Sequence, residues 1–444
     1  MVSKMDLVQS LSETLDITTP TLDTLDSYYR GTQPTAFLAK KSSEALGDRL
    51  RSLSVNFPRL AVRSLAERLN LTGFRLDGPD ARPDDDLWRI WRLNHMEEAA
   101  AQAHIDALVY GRSFVIVWAG RRGPQITVES PRQMSVAYDP ATREVTAAFK
   151  RWVSGRRGHA VLYGADEITR FVSSADVSDP SALPSTSWQV AETIPNPLGE
   201  VPVVPIVNHG RLLEVDGVSE MQDILGLSDA LNKLMADAMV TSEYYARPRR
   251  WVTGLEAMED DDGNLVDPFS SEEQRVWQAE SPDVKFGQFD PVRLDGYADL
   301  TAVVTQQIGA LTGLPAHYMG LHGDQPASAD AIRSAEASLV ARAYALHRTF
   351  GQGWSDVARL IVAVRDGVDP STVDVEPVWA SPETRTPAQA ADAAAKLAGI
   401  GVPLSVVLGD VLGMTPTQIE RVRAARRGDA LDAAGADLLD RLSS

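Results

Sequence analysis

The N-terminal part of the chain has a helical pattern of apolar residues. They recur at every third or fourth position over 7–15 and again over 60–69, which is the spacing of one helix face. The pattern predicts that residues 1–72 are helical, with a turn where Gly31 and Pro34 interrupt it.

A surface connection and a further helix are predicted next. Residues 73–86 combine Gly and Pro with a run of carboxylates, which is typical of an exposed loop. From Asp86, taken as the N-cap, apolar residues again recur helically to about residue 109. We therefore expect one continuous helix over 86–109.

Beyond residue 111 the pattern becomes that of short strands. Residues 172–200 are rich in Ser, Pro and Asp and are expected to form a loop, whereas the prolines of 201–209 favour an edge strand. The earlier β-rich runs, separated by turn signals, predict a small meandering antiparallel sheet; they cover 112–120, 124–140, 145–153 and 159–173.

Three long helices are predicted in the second half of the chain. Ser219 and the Gln three positions later form a predicted capping box, which opens a helix that extends to about Arg247, just before Pro248. A second helix is predicted over 295–312, and Ser328 is the predicted N-cap of the third. The first two are separated by a strand-like run, an acidic turn and a second short β-rich run.

The segment 313–328 between the second and third helices is unusually long. A simple connection between helices needs about 2–8 residues, and the Gly content of this one predicts a mobile loop with a function. The third helix is expected to bend at Gly351 and Gly353. An extended stretch is predicted next, followed by four short helices; the stretch covers 373–381 and the helices cover 387–399, 403–412, 415–426 and 428–442. The predicted fold class is therefore α+β, mainly α.

The length, charge and amino-acid composition of the chain exclude several classes of protein. The chain has 444 residues and a net charge of −18, enough for about two to four domains. It contains no Cys, which excludes disulfides, thiolate catalysis and Cys-ligated metals. There is no apolar run of about 20 residues and no signal-peptide pattern, so we expect a soluble intracellular protein that does not enter a membrane. The acidic balance argues against a conventional nucleic-acid binder.

Recognised catalytic motifs are absent from the sequence. It has no phosphate-binding loop, no dinucleotide-binding glycine motif, no nucleophile elbow and no HExxH metal motif. His95 and His104 would lie on different faces of one helix, and the acidic run 259–264 fails the spacing of a calcium loop. We therefore predict no catalytic residue, no cofactor and no metal.

Arg247, Arg249 and Arg250, beside Trp251, form the densest basic cluster next to the first long helix. One interpretation is that these cations interact favourably with the C-terminal end of the helix dipole while Trp251 packs in a local core. The other is that they contact a phosphate backbone or an acidic partner. The sequence leaves both interpretations open.

Several segments in a fixed order resemble a known family. They are YYRGTQP, NFPRLAVRSLAERLNLTGFR, IDALVYGRSFVIVWAG, ESPRQMSVAYDP, VPVVPIVN, GVSEMQDILGLSDALNKLMADAMVTSEYYARPRRWVTG and IGALTGLPAHYMGLHGDQPASADAIRSAEASLVARA. Together they span about residues 20–365 and resemble the portal proteins of tailed bacteriophages, in the group similar to that of phage SPP1 and of the actinobacterial phage type.

The resemblance implies the layout of a portal subunit. Such a subunit has a wing, two stem helices, a clip, a tunnel loop and a crown. The implied boundaries are 1–215 for the wing, 216–248 for the first stem helix, 249–292 for the clip, 293–312 for the second stem helix, 313–328 for the tunnel loop, 329–380 for the long wing helix with a return strand, and 381–444 for a short helical crown.

The resemblance also implies function and partners. The expected assembly is a dodecameric ring at one capsid vertex of the virion, built in the host cytoplasm. Double-stranded DNA would pass through it without sequence recognition. Expected partners are the terminase large subunit, the major capsid and scaffolding proteins and a head–tail adaptor. The implied channel residues are Gly313, His317, His322, Gly323, Asp324, Gln325 and Ser328, and the implied clip-side contacts are Arg247, Arg249 and Arg250.

Two alternatives from other classes remain at this stage. One is another virion shell or adaptor protein, which particle imaging would discriminate: a shell protein forms sheets or icosahedra, whereas a portal forms a ring with an axial channel. A carboxylate-dependent hydrolase would need acids that converge in a cleft, and no such constellation is evident in the sequence.

Overall fold

A computed structural model describes residues 3–34, 54–76, 84–177, 188–208, 211–245, 250–254, 283–288, 294–321, 328–383, 387–414 and 416–443. Its longer helices are α1 (Lys4–Arg30), α2 (Phe57–Ala66), α3 (Asp85–Leu93), α4 (Met96–Tyr110), α5 (Leu225–Tyr245), α6 (Asp295–Thr312), α7 (Ala329–Asp366), α8 (Pro387–Gly399) and α9 (Pro416–Ser443). The predicted class, α+β and mainly α, is confirmed.

Twelve strands occur in the described residues. They are β1 (Leu71–Leu76), β2 (Arg112–Gly120), β3 (Gly123–Glu129), β4 (Met134–Tyr138), β5 (Val145–Ser154), β6 (Arg157–Tyr163), β7 (Glu167–Asp176), β8 (Trp188–Pro195), β9 (Val203–Val207), β10 (Arg250–Thr253), β11 (Lys285–Gln288) and β12 (Val375–Trp379). They form an antiparallel sheet β4–β5–β6–β7–β8, a smaller sheet β3–β2–β9, and the pairs β1–β12 and β10–β11.

The prediction of a single meander is therefore wrong. The β-rich region divides into two sheets, and β8 lies inside the segment 172–200 that was expected to be a loop. The edge position of β9 is confirmed: Pro205 pairs with Phe114 of β2, and β9 has no partner on its other side in the described sheet. An edge strand tolerates Pro because its missing N–H removes no bond needed by a second neighbour.

The N-terminal segment differs from its prediction in two places. Residues 71–76 are a strand, not a helix or loop, because β1 pairs with β12 about 300 positions later in the chain. The predicted helix 86–109 is two helices, since His95 adopts a left-handed backbone (φ 55°) between α3 and α4. The N-cap of α3 is Asp84 rather than Asp86.

Asn94 gives a physical reason for the break between α3 and α4. Its side-chain amide donates to the carbonyl oxygens of Ile90 and Pro124, and its Oδ1 accepts from the Ile126 N–H at 3.0 Å. These bonds tie the end of α3 to β3. The chain turns there because satisfying these backbone groups replaces continuation of the helix.

The start of the first long helix was also predicted incorrectly. The capping box does not form: Ser219 Oγ accepts from the Met221 N–H at 3.2 Å, and a 3₁₀ turn over Gln222–Ile224 precedes α5. The predicted end at Arg247 and Pro248 lies outside the described residues.

The C-terminal predictions were partly correct. The bounds of α8 match the predicted 387–399. Residues 404–411 form a helical turn followed by a π-turn, and α9 is one helix across Gly428 instead of two.

An aromatic core surrounds the C-terminal half of α7. Trp91 and Trp354 pack edge to face at 5.2 Å, and Trp354 Nε1 donates to His104 Nε2 at 2.8 Å. His347 stacks on Trp379 with ring centroids 4.5 Å apart. α7 is continuous across Gly351 and Gly353; at position 353 a Cβ would come within 2.6 Å of the Ile206 side chain, so the glycine allows close packing.

The buried His104 predicts acid sensitivity. Burial lowers its pKa from 6.5 to about 3, so between these values the unfolded chain binds a proton that the folded chain excludes. Stability should therefore fall as the pH drops below 6.5, by at most about 1.4 kcal/mol per pH unit for this group. Burial also lowers the pKa of His347, which acts in the same direction.

Urea unfolding of the full chain between pH 7 and pH 4.5 checks this prediction. His104→Gln keeps an acceptor for Trp354 but cannot titrate, and its pH slope should be smaller by about one proton. An unchanged slope in this variant would show that another group is responsible.

The described chain divides into two compact units. The first contains residues within 1–33, 56–228 and 308–444, and holds the sheets of the β-rich region, α1 to α4 and α7 to α9. The second lies within 34–55 and 229–307, and includes most of α5 and α6 together with the pair β10–β11.

Candidate functional site

The described part of the segment after α6, residues 313–321, contains a short helix; its predicted mobility stays a prediction. Gly313 ends α6 with a left-handed backbone (φ +68°), and a 3₁₀ helix follows over Ala316–Met319. Gly320 caps that helix, also left-handed at φ +73°. Residues 322–327 lie outside the described part of the chain, and with them the predicted channel residues His322, Gly323, Asp324 and Gln325.

A buried polar cluster bonds this segment to α7 and to the residues that follow α2, all within the first unit. Arg68, after α2, and Glu336, on α7, form an ion pair at 3.3 Å, with side chains only 9% and 6% exposed. The Tyr318 hydroxyl donates to Glu336 Oε1 at 3.1 Å and accepts from Arg68 at 3.2 Å. We call Arg68, Tyr318 and Glu336 the loop anchor. Through Tyr318, the loop anchor bonds residues 313–321 to Arg68 and to Glu336 of α7.

His317 lies beside the loop anchor. Its Nε2 is 3.9 Å from Glu336 Oε1, its ring packs edge to face on Tyr318 with centroids 4.8 Å apart, and its side chain is 35% exposed. His317 is therefore a half-buried neighbour of the anchor and not a fully exposed loop residue. Ser328 is exposed and caps α7 by accepting from the Ala331 N–H at 3.2 Å, as predicted.

Arg342 of α7 makes a second ion pair and also bonds to the end of α6. Arg342 pairs with Glu220 and donates to the Leu311 carbonyl oxygen at 2.9 Å. Asn208 donates to the same Glu220 carboxylate at 3.4 Å. The base of the loop is thus bonded to α7 at two points within the first unit.

The second unit carries an acidic and partly apolar pair of helices. By sequence, α5 and α6 hold five carboxylates and a single Lys, with no Arg; the carboxylates are Asp229, Asp237, Glu243, Asp295 and Asp299. Within this unit Thr241 Oγ1 and the Tyr297 hydroxyl are 3.3 Å apart. Leu300 and Val303, on adjacent turns of α6, are each 53% exposed, and Met239 on α5 is 49% exposed.

The predicted basic cluster falls at the start of β10. Arg250 begins β10, where its backbone pairs with Gln288 of β11. Arg247 and Arg249 lie outside the described residues, so both interpretations of the cluster remain open. Trp251 is 38% exposed and packs over Gly287, where a Cβ would come within 2.3 Å of its ring.

Across the described ranges, no group of three or more His, Asp or Glu side chains converges as a metal site would. His95 lies at the break between α3 and α4, whereas His104 is buried in the core. None of the helices described is both long and apolar enough to cross a membrane.

Comparison with known sequences decides the family. The family model for phage portal proteins of the SPP1 Gp6-like type matches residues 11–430. The chain belongs to this portal protein family. It is 32% identical to the portal protein of Mycobacterium phage D29, over 82% of this chain and 77% of that protein. It is 31% identical to the portal protein of Mycobacterium phage L5, over 78% of this chain and 73% of that protein.

A solved structure also aligns with this portal protein. It is a chain from the neck of an empty gene transfer agent particle, with 14% identity and a TM-score of 0.48 over 83% of this chain and 91% of that one. At this TM-score and identity the alignment adds nothing to the family assignment.

Sequence reasoning missed the loop anchor of this portal protein. Glu336 occupies a position in register with the buried residues Leu339 and Ala343 of α7, and a carboxylate at such a position signals a buried polar partner. That signal was available in the sequence. The identity of the partner could not be predicted, because Arg68 lies 268 positions away in the chain and no local pattern connects the two residues.

Gly313→Ala in this portal protein should destabilise the loop base more than Gly320→Ala. Both glycines are left-handed, which costs a non-glycine residue about 1–2 kcal/mol. A Cβ at 313 would also lie 2.7 Å from Ser338 Oγ, whereas nothing lies within 4 Å at 320. Thermal unfolding of the two variants measures the difference, and equal losses would contradict the close contact.

Proposed function

We propose that this portal protein forms a ring, a dodecamer, at one capsid vertex, and that double-stranded DNA passes through it during packaging and ejection. The observation that carries the proposal is the character of α5 and α6: an acidic helix pair with an exposed apolar face. In the proposed layout these are the stem helices around the channel, within 216–248 and 293–312.

The negative charge of α5 and α6 favours the passage of double-stranded DNA over its binding. Tight binding of a duplex draws on many Lys and Arg contacts with phosphate. Five carboxylates against one Lys repel phosphate instead. Repeated around a ring, this charge would keep DNA away from the wall and let it slide.

The exposed apolar face of α6 suits a second copy of the chain. Leu300 and Val303 lie on adjacent turns, each about half exposed, and an apolar helix face normally packs against a partner. Identical chains that contact each other head to tail, through different faces, form a closed ring when the rotation from one subunit to the next adds up to a full turn. The proposed occupant of this face is therefore the neighbouring subunit.

The proposal assigns the remaining segments as follows. The loop anchor would hold the base of a tunnel loop (313–328) that faces DNA. Its proposed channel residues are Gly313, His317, His322, Gly323, Asp324, Gln325 and Ser328. The clip (249–292) would offer Arg249 and Arg250 to partners at its edge, together with Arg247 at the end of the first stem segment (216–248). The wing would be 1–215 with 329–380, and the crown 381–444.

The proposed partners follow from the same role. A terminase large subunit would dock on the ring and supply the ATP hydrolysis, the capsid and scaffolding proteins would hold it at the vertex, and a head–tail adaptor would follow. Assembly would take place in the host cytoplasm. The portal protein itself would need no cofactor and would show no ATPase activity alone.

Light scattering after size exclusion tests the proposal. Twelve chains of 48.2 kDa give an assembly of about 580 kDa, and the same fractions should hydrolyse no ATP. A monomer at every salt and protein concentration would contradict ring formation. ATP hydrolysis that co-elutes with the protein would contradict the division of labour with terminase.

A further inference from the structure

The C-terminal helix α9 carries the strongest basic cluster in the described C-terminal region. Within two turns it has Arg421, Arg423, Arg426 and Arg427, all exposed. Residues 416–428 carry four Arg and one Glu, a net charge of +3, in a chain whose net charge is −18. We call these four residues the arginine patch.

Helix stability does not account for the arginine patch. The four residues lie in the second and third turns of α9, away from the C-terminal end where cations interact favourably with the helix dipole. Arg423 and Arg427 are four positions apart, a spacing at which like charges destabilise a helix. Glu420 pairs with Arg423 at 2.8 Å and lies 4.0 Å from Arg427, so a single carboxylate serves both.

The packing of α9 leaves the arginine patch at the surface. Ile419 and Val422 are the half-buried positions of this part of the helix, and Ile419 lies against Gly409 of the preceding π-turn. No ion pair joins Arg421 or Arg426 to a carboxylate among the described residues. Arg423, Arg426 and Arg427 fall within about 100° of the helix circumference and Arg421 lies on the other side, and all four side chains are exposed to solvent.

We propose that the arginine patch binds the phosphate backbone of double-stranded DNA outside the channel. Guanidinium groups bond phosphate oxygens in pairs without reading sequence. A ring repeats the patch once per subunit, and a uniformly charged polymer can engage many copies at once, whereas a compact acidic protein engages few. This inference rests on the proposed function, which supplies both the ring and its DNA.

Binding of relaxed, covalently closed circular DNA by the full-length protein tests the proposal. A closed circle cannot thread a closed ring, so the channel does not contribute. The patch variant is R421Q/R423Q/R426Q/R427Q. The matched control, R121Q/R122Q/R156Q/R157Q, removes four other exposed arginines and gives the same net charge.

Wild type and control should bind with an affinity that falls at least about 100-fold between 50 and 200 mM salt, since one patch supplies roughly four phosphate contacts and each further engaged copy steepens the fall. The patch variant should bind more weakly and lose most of this salt dependence. Equal salt slopes in patch variant and control, or no binding by wild type at 50 mM salt, would overturn the proposal. A changed assembly mass with an unchanged slope would also overturn it, because the patch would then pair with another copy.

The two proposals fail in different ways. A wild-type monomer whose salt slope still depends on the patch would reject the ring and keep the DNA contact. Rings of the expected mass with no effect of the patch variant on DNA binding would keep the ring and reject the contact.

Discussion

Leu300→Asp should convert the assembly from rings to single chains. The side chain is 53% exposed in the single chain, so a carboxylate there can remain hydrated and should change the stability of the chain by less than about 0.5 kcal/mol. In the proposed ring the same position is covered by the neighbouring subunit. A carboxylate buried without a partner there costs several kcal/mol, and every interface of the ring carries the cost.

Mass and thermal unfolding together test the Leu300 variant. The assembly mass should fall to that of one 48.2 kDa chain, while the unfolding temperature of that chain stays within a few degrees of a wild-type monomer. Ala298→Asp is the control, since it adds the same charge at an exposed position on the opposite side of α6 from Leu300 and Val303. Intact rings from Leu300→Asp would show that this face is not between subunits.

Arg68→Met should be the most destabilising change in the loop anchor. It removes the buried guanidinium that pairs with the Glu336 carboxylate, which is only 6% exposed. Removing one partner of a buried ion pair costs about 3–5 kcal/mol, because the remaining charge has lost both water and its counter-charge. We expect this loss in the free energy of unfolding, together with faster amide hydrogen exchange over 313–321.

Two further variants separate the ion pair from simple packing. Tyr318→Phe removes the hydroxyl and keeps the ion pair, so its cost should be nearer 1 kcal/mol. Replacing both charges, as in R68M/E336L, should recover much of the loss, since apolar pairs often substitute for buried ion pairs. If Arg68→Met were no worse than Tyr318→Phe, the pair would contribute little to holding the loop.

Elements with strong local signals were predicted well. The helix over Asp295–Thr312 has the predicted bounds because Gly313 stops it. Ser328 caps α7 as predicted, because a Ser hydroxyl satisfies a free N–H of the first turn from within the same few residues. Such signals need no knowledge of the rest of the fold.

Elements that depend on distant residues were missed. Strand β1 exists because β12 pairs with it, and the break at His95 follows from bonds between Asn94 and the backbone of β3. In the candidate site, the sequence indicated Gly313, His317 and Ser328. The position of Glu336 in register with buried residues signalled a polar partner but did not identify Arg68. The spatial partners of Glu336 are fixed by tertiary packing, which apolar spacing alone does not specify.

Electron microscopy of the purified full-length protein tests the central claim most directly. The account predicts rings viewed end-on with an axial opening wide enough for a DNA duplex, and a reconstruction in which α5 and α6 of every subunit line that opening. A ring whose opening is lined by other elements would contradict the account. So would a single compact chain in which Leu300 and Val303 are covered by its own residues.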